Sequence, residues 1–322
     1  MAVHLGQRAR RLIVVLVCVS LAAFGLGLAG PAQAGSSTHH WKVWVGNQSK
    51  DMAVQGMRFL PGQVWINQGD TVTWAANAAE PHTVTFLPGG KKQATIPPFN
   101  PTDPKQTTRV GGKVYDASKY FNSGIITTGS GIAAFPKWSV FSRYTLKFTK
   151  QGSFTYYCLV HGKMMTGTVH VRPQGTAYPF TQQQYNKQAT TRAAALVKNG
   201  QRLLAATRGK ATAHHVFAGA ENSKVIVMRF LRGTVHIAKG TKVTFGNDNI
   251  EIPHTVTFGP EPPGPAVLAP SGNPANYTGG ALNSGILLPG KTFTVTFNKA
   301  GTFPYICALH DEMGMVGRVV VG

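Results

Sequence analysis

The chain has 322 residues, of which 43% are hydrophobic and 13% charged, and this is enough apolar material for two domains with separate cores. Lys and Arg number 32 against 11 Asp and Glu, which gives a formal charge of +21 at pH 7. Such a charge favours acidic partners, namely an anionic membrane, a cell-wall polymer or an acidic redox protein, unless it only serves solubility. The sequence contains no basic-aromatic motif, which argues against nucleic acid as a partner.

Residues 1–34 have the pattern of a secretory signal peptide. Three arginines open the segment, residues 12–28 are mostly apolar, and a small-residue cleavage motif closes it. The apolar run is near the lower length limit for a membrane span, so an uncleaved anchor is the alternative. We expect a secreted or extracytoplasmic protein, at the cell surface or in a periplasm. Cleavage would remove Cys18 and leave Cys158 and Cys307.

The rest of the chain contains the same series of motifs twice. In order, the motifs are His-His at 39–40 and 214–215, Met-Arg-Phe-Leu at 57–60 and 228–231, Pro-His-Thr-Val-Thr-Phe at 81–86 and 253–258, and Asn-Ser-Gly-Ile at 122–125 and 283–286. A Cys-His-Met segment closes each series. Each copy spans about 110 to 130 residues, which indicates duplication of a whole domain rather than a solenoid repeat.

Each copy is predicted to be all-β. Short runs of alternating polar and apolar residues, such as 144–148 and 292–297, are separated by Gly, Pro and Asn. Seven or eight such strands predict a Greek-key β-sandwich, so the chain would consist of two tandem sandwich domains, 35–173 and 212–322. In the first copy, residues 87–142 are longer than their counterpart and predict surface loops near the site, with one short helix.

Residues 174–211 predict a linker between the two domains. Its central part lacks proline and places apolar residues from Tyr185 to Leu204 near helical spacing. We therefore predict a basic linker helix packed on one domain, which Gly200 weakens or splits. A helix lying on a membrane surface is the alternative, although its apolar face is mostly Ala.

A Cys-x-x-His segment lies between two β-rich runs in each copy. The residues are Cys158 and His161 in the first copy and Cys307 and His310 in the second. The Cys would lie at the end of a strand and the His in a short loop, and a Met would follow where the next strand begins. The repeated Pro-His motif adds His82 and His254. Thiolate, two imidazoles and a weak thioether are the ligands of a blue-copper site.

Other interpretations of these residues fit less well. The two cysteines occupy equivalent positions of a repeat, which favours one metal per copy over a disulfide between them. Structural zinc prefers several thiolates and no thioether. A Cys-His nucleophile pair would leave the repeated Met without a role. The His pairs at 39–40 and 214–215 are predicted to be residues at the start of a strand, with a copper-collecting site as the alternative.

Both copies resemble cupredoxins of the plastocyanin and azurin type, and the likeness covers nearly all of the chain outside residues 1–34 and the linker. It rests on Pro-His before a strand and on Cys-x-x-His followed by Met-x-Gly-x-Val. The resemblance implies two copper sites, with the ligands His82, Cys158, His161 and Met165 in the first and His254, Cys307, His310 and Met315 in the second. Met164 and Met313 are the alternatives for the axial position.

The resemblance also implies how the sites would work. In the family the loop histidine lies nearer the solvent, so electrons are expected to pass through His161 and His310. Backbone N–H groups near Thr83 and Thr255 are candidates for hydrogen bonds that tune the potential, as are the side chains of Asn122 and Asn283.

The sequence thus predicts a secreted, non-enzymatic carrier of single electrons with two type 1 copper ions. Extracellular sequestration or delivery of copper is the alternative, because it needs the same ligands. Multicopper oxidases and copper nitrite reductases share the fold but need a second kind of copper centre. Their His directly before the Cys is replaced here by Tyr157 and Ile306, and no His-x-His occurs in the chain.

Overall fold

Two β-sandwiches and one long helix make up most of this computed structural model, which describes residues 38–90, 98–129 and 138–322. The first sandwich contains β1 (His40–Gln48), β2 (Val54–Leu60), β3 (Gln63–Asn67), β4 (Thr71–Ala76), β5 (Thr85–Phe86), β6 (Arg109–Val110), β7 (Val114–Tyr115), β8 (Phe121–Ser123), β9 (Ile125–Ile126), β10 (Val140–Phe141), β11 (Arg143–Phe148), β12 (Gly152–Tyr157) and β13 (Thr166–Arg172). The second contains β14 (His215–Asn222), β15 (Val225–Leu231), β16 (Thr234–Ile237), β17 (Thr241–Gly246), β18 (Thr257–Phe258), β19 (Pro270–Ser271), β20 (Leu282–Ser284), β21 (Thr292–Phe297), β22 (Gly301–Ile306) and β23 (Val316–Val321). The helices are α1 (Pro104–Thr107) and α2 (Gln182–Lys210), and short 3-10 turns occur at Pro88–Gly90, Gly162–Met164, Gly264–Leu268, Pro274–Asn276 and Asp311–Met313.

One sheet of nine strands runs through both sandwiches in the order β21-β17-β14-β15-β2-β1-β4-β11-β7. A six-stranded sheet completes each sandwich, with the orders β3-β13-β12-β5-β8-β6 and β16-β23-β22-β18-β20-β19. Strands β9 and β10 form a small separate pair. The predicted fold class, two tandem β-sandwich domains joined by a partly helical linker, is confirmed.

Aromatic residues on alternate strand positions fill the core of each sandwich. Along β11 the residues alternate between exposed and buried, which places one side of the strand against the core. In the first core, Trp74 packs edge-on against Phe86 and Tyr156 at centroid distances of 5.7 and 5.1 Å. In the second core, Phe245 packs against Tyr305 at 5.0 Å. The cores therefore form a rigid support under the loops that follow these strands.

The two sandwiches meet where β2 pairs with β15. Gln55 is paired with Ile226 in this antiparallel ladder. These residues occupy the same place in the two copies, two positions before Met57 and Met228 of the repeated motif. Pairing of equivalent positions relates the sandwiches by an approximate twofold axis, so equivalent surfaces face each other across it. Both methionines are buried in one apolar cluster at this seam, together with Ile252.

Helix α2 crosses the seam between the sandwiches. It begins with a capping box in which Thr181 and Gln184 exchange hydrogen bonds. At its start, the hydroxyl of Tyr185 accepts the backbone N–H of Trp65 (2.9 Å), and further along Asn199 accepts from a side chain of β14. The prediction that the helix packs on one domain is therefore wrong, because its buried side faces β2 and β15 together.

Three further predictions concern the segments around the sandwiches. Gly200 does not split the helix, which is continuous over 29 residues. The predicted short helix within residues 87–142 is α1. The predicted signal peptide lies outside the described residues. Within the described ranges, no helix is both long and apolar enough to cross a membrane.

Candidate metal centres

The candidate ligands of the first site lie in the chain segments that adjoin strands β5, β12 and β13. His82 is held by two backbone hydrogen bonds to Ile126, of 3.0 and 2.7 Å. Cys158 follows β12 directly, and His161 precedes the 3-10 turn of the loop. The backbone N–H of Cys158 donates to the carbonyl oxygen of Met165 (3.0 Å), which closes the loop just before β13. The predicted arrangement of strand, loop and strand is therefore observed.

The side chains of His82, Cys158 and His161 point at one another in the first site. Their Nδ1 atoms are 3.1 Å apart, and Sγ lies 3.8 Å from Nδ1 of His82 and 3.3 Å from Nδ1 of His161. All three residues are fully buried. Three buried donor atoms that all lie within 4.8 Å of one another could hold one ion.

The second site repeats this geometry with His254, Cys307 and His310. The two Nδ1 atoms are 3.2 Å apart, and Sγ lies 3.6 and 3.3 Å from them. The backbone N–H of Cys307 donates to the carbonyl oxygen of Met315 (3.0 Å). Both cysteines are free and buried, which agrees with one site per copy rather than a disulfide. Among the described residues, these two trios are the only groups of three or more potential metal ligands.

Burial changes the pKa of the ligand side chains in opposite directions. It raises the pKa of the Cys158 thiol to about 12, because a thiolate without a cation is disfavoured in an apolar surrounding. It lowers the pKa of His161 to about 3, with the nearby His310 as a smaller cause, and lowers those of His82 and His254. The imidazoles are therefore neutral at pH 7, which is the form that binds metals.

In each site one threonine connects the cysteine to the segment that carries the first histidine. The backbone N–H of Thr83 donates to Sγ of Cys158 (3.4 Å), and that of Thr255 donates to Sγ of Cys307 (3.3 Å). Their hydroxyls also accept the backbone N–H that follows the cysteine, at 2.8 Å in both sites. These are the N–H groups singled out in the sequence, and they lower electron density on the sulfur.

The predicted asparagines are connected to the ligand segments through a neighbouring threonine. Asn122 accepts a hydrogen bond from the hydroxyl of Thr85 (3.2 Å), and Asn283 accepts one from Thr257 (2.9 Å). The amide group of Asn122 donates to two backbone carbonyl oxygens of α1, and that of Asn283 donates to two carbonyl oxygens in and beside the 3-10 turn Gly264–Leu268. They therefore fix the strand beside the site and do not contact the thiol.

The methionines of the two loops separate into an inner and an outer pair. Met165 and Met315 are fully buried in the same apolar clusters as the two cysteines. Met164 and Met313 lie in the cluster between the sandwiches instead. The inner pair is thus on the ligand side of each loop, which favours it for the axial position.

The arginine of the repeated Met-Arg-Phe-Leu motif holds the ligand loop in each copy. Arg58 donates to the carbonyl oxygen of Met164, and Arg229 donates to that of Met313. Each arginine also donates to a backbone carbonyl oxygen of the other sandwich. The arrangement therefore ties both ligand loops to the seam.

The loop histidines are not near the solvent, contrary to expectation. His161 is fully buried and His310 is 6% exposed, because the approximate twofold axis turns both loops toward the seam. Between them lies Glu80, which the sequence analysis did not identify as functional. Its Oε1 is 3.2 Å from Nε2 of His161, and its Oε2 is 3.9 Å from Nε2 of His310. The feature of the sequence that could have identified Glu80 is its position directly before the Pro-His motif, in a chain with few acidic residues.

The paired histidines lie at the start of strands, as predicted. His40 begins β1 and contacts the hydroxyl of Thr71 through Nδ1 (2.7 Å), and His215 begins β14. The copper-collecting alternative for them remains a prediction.

Comparison with known proteins identifies the family. The family model described as copper binding proteins, plastocyanin/azurin family, matches residues 215–322. Plastocyanin A'/A'' of Nicotiana tabacum is 35% identical over 96 residues, which are 29% of this chain and 88% of the relative. Plastocyanin of Capsella bursa-pastoris is also 35% identical, over 94 residues and 88% of its length. The chain belongs to the cupredoxins of the plastocyanin/azurin family.

Solved structures of amicyanin are also similar to this cupredoxin. The structure of amicyanin from Paracoccus versutus has 21% sequence identity, covers 45% of this chain and 86% of its own, and has a TM-score of 0.25.

Copper fits the donor sets of this cupredoxin. A buried cysteine, two buried histidines and a thioether on the same loop match type 1 copper in both copies. They do not match structural zinc, which takes several thiolates and no thioether. Copper is therefore its cofactor, with room for two type 1 ions.

Proposed function

We propose that this cupredoxin is an exported carrier of single electrons and not an enzyme. The proposed ligands are His82, Cys158, His161 and Met165 in the first site and His254, Cys307, His310 and Met315 in the second. Copper, when bound, supplies a centre that cycles between Cu(I) and Cu(II). The observation that carries the proposal is that the two His-Cys-His trios have nearly the same internal distances and that each cysteine shares an apolar cluster with a buried methionine.

The protein holds these donor atoms in fixed positions. The strands fix each first histidine, and the threonine N–H groups fix each sulfur. Because the aromatic cores beneath are rigid, the donors keep one geometry for both oxidation states, and little has to move on electron transfer. Burial keeps water and exogenous ligands away from the site.

Sequestration or delivery of copper would use the same ligands but needs release. The donor residues are between 0 and 6% exposed, so handing over an ion would require one of the Cys-His-Met loops to open. The hydrogen bonds from Arg58 and Arg229 that attach these loops to the seam oppose such opening. This burial favours the carrier.

We also propose partners for this protein, an exported location and the limits of its domains. A redox partner protein with an acidic surface suits the formal charge of +21, and an anionic membrane or a cell-wall polymer is the other surface that suits it. Residues 1–34 are assigned to a signal peptide, residues 35–173 and 212–322 to the two cupredoxin domains, and residues 174–211 to the linker.

Redox cycling in the presence of a Cu(I) chelator tests this function. The copper-loaded protein is reduced with ascorbate, reoxidised with ferricyanide, and followed by its visible absorption. A carrier loses and regains its colour over many cycles while the chelator gains no copper. Transfer of copper to the chelator at each reduction would instead identify a delivery protein. The variant with both Cys158→Ser and Cys307→Ser serves as the control without colour.

A further inference from the structure

Glu80 lies between the two candidate copper sites and contacts the loop histidine of one of them. Its Oε1 accepts a hydrogen bond from Nε2 of His161 (3.2 Å), and its side chain is 3% exposed. With the proton on Nε2, Nδ1 of His161 is bare and faces Sγ of Cys158. The contact therefore fixes both the tautomer and the orientation that a ligand through Nδ1 requires.

The other carboxylate oxygen of Glu80 points to the second site. Oε2 is buried and has no hydrogen-bond partner among the described residues, yet it lies 3.9 Å from Nε2 of His310. An unpaired buried carboxylate oxygen is costly, so a small shift that brings His310 Nε2–H to it is favoured. Nδ1 of His310, like that of His161, faces the cysteine of its own site.

The repeat shows that this acid is not duplicated. Glu80 precedes Pro81-His82, whereas the equivalent residue before Pro253-His254 is Ile252. Ile252 is buried in the apolar cluster at the seam. A second carboxylate there would place two like charges in a buried space, which is strongly unfavourable. One acid from the first copy is thus placed to serve both.

We propose that Glu80 is a positioning residue shared by the two copper sites, holding the rings of His161 and His310 through their Nε2 atoms. The sites are then not independent, because one side chain sets the orientation and hydrogen bonding of a ligand in each. This inference rests on the proposed function, since it takes both histidines as ligands.

Variants that keep a single site separate the two effects. Cys307→Ser leaves only the first site, and Cys158→Ser leaves only the second. Into each background Glu80→Ala and the isosteric Glu80→Gln are introduced, and the reduction potential and EPR spectrum of the remaining copper are measured. We expect Glu80→Ala to shift the potential and change the EPR spectrum of both sites, because the side chain that orients the loop histidine of each site is lost. Glu80→Gln keeps a hydrogen-bond acceptor and should restore the EPR spectrum toward that of the parent.

Glu221→Gln is the matched control. Glu221 is another acid near the seam, but its carboxylate accepts the backbone N–H groups of Ile250 and Glu251 at 2.7 and 2.9 Å and no histidine is among these partners. It should change neither EPR spectrum. In the metal-free protein, NMR should show slowly exchanging Nε2–H signals of His161 and His310, and Glu80→Ala should abolish both.

The outcomes distinguish this inference from the proposed function. If Glu80→Ala alters only the site of His161, or if Glu221→Gln alters the EPR spectra as Glu80→Ala does, the shared role is wrong. If the single-site proteins bind no copper even with Glu80 present, the proposed function itself fails.

Discussion

Gly46 approaches His82 so closely that a Cβ atom on this glycine would lie 2.4 Å from Nε2 of the imidazole. Gly46 sits at the irregularity of β1 between Val45 and Asn47, with φ of +69°. Gly219 has the same relation to His254 in the second copy, at 2.7 Å. A ring that is a candidate ligand therefore rests directly on a strand backbone in each site.

Gly46→Ala is expected to distort the first copper site. The side chain would displace the ring of His82 from its present position beside Cys158, and backbone strain would cost about 1–2 kcal/mol in addition. Gly69→Ala is the matched control, since Gly69 also has a positive φ of +98° but nothing within 4 Å of its Cβ position. Gly69→Ala should lose only the stability that backbone strain costs, Gly46→Ala should lose more, and only Gly46→Ala should change the absorption spectrum in the Cys307→Ser background. An unchanged spectrum would contradict the contact.

The hydroxyl of Thr83 is expected to support the first ligand loop. Thr83→Ala would leave the backbone N–H of Leu159 buried without a partner, which costs about 1–3 kcal/mol of the free energy of unfolding. Thr83→Ser keeps the hydroxyl and should lose less. Thr294→Ala removes an exposed hydroxyl that contacts Thr244 and should stay within about 0.5 kcal/mol. Urea unfolding of the metal-free proteins measures all three.

The seam between the sandwiches is expected to make them unfold together. Ile226 is fully buried where β2 pairs with β15, so Ile226→Ala should cost about 2–5 kcal/mol. Ile250 is 59% exposed, and Ile250→Ala should change the stability by no more than about 0.5 kcal/mol. Calorimetry should show one transition for the parent protein. Two separate transitions in the parent would contradict a common unit.

Two glycines of helix α2 should respond to alanine with opposite signs. Gly→Ala within a helix normally stabilises by about 1 kcal/mol. At Gly209 nothing lies within 4 Å of the Cβ position, so the variant should gain stability. At Gly200 the new atom would lie 2.2 Å from Cγ1 of Val54, and overpacking should destabilise by about 1–3 kcal/mol. Thermal unfolding of the pair checks this, and a gain in both would show that the helix does not press on β2.

The fold and the ligand trios could be predicted because their signals are local. Alternation along a strand gives the side that is buried, and a Cys-x-x-His segment between two strands brings its side chains together within one loop. The duplication strengthened both inferences, since His82 and His254 stand in identical hexapeptides. The inner position of Met165 followed from its distance to the next strand, although the ligand role itself stays a prediction.

The relation between the two copies could not be predicted in the same way. Pairing of Gln55 with Ile226 joins two sheet edges that belong to different domains, and nothing in the pattern of either copy encodes it. The burial of His161 and the crossing of helix α2 over both sandwiches follow from that seam. Glu80 was missed for the same reason, since its role is visible only where the two sites meet.

The central claim is that each copy holds one type 1 copper ion. An absorption spectrum of the copper-loaded protein, combined with metal quantitation, tests it most directly. We predict an intense charge-transfer band in the visible range and two coppers per chain, one copper in either Cys158→Ser or Cys307→Ser, and no band in the double variant. A colourless protein that takes up zinc in place of copper would contradict the claim.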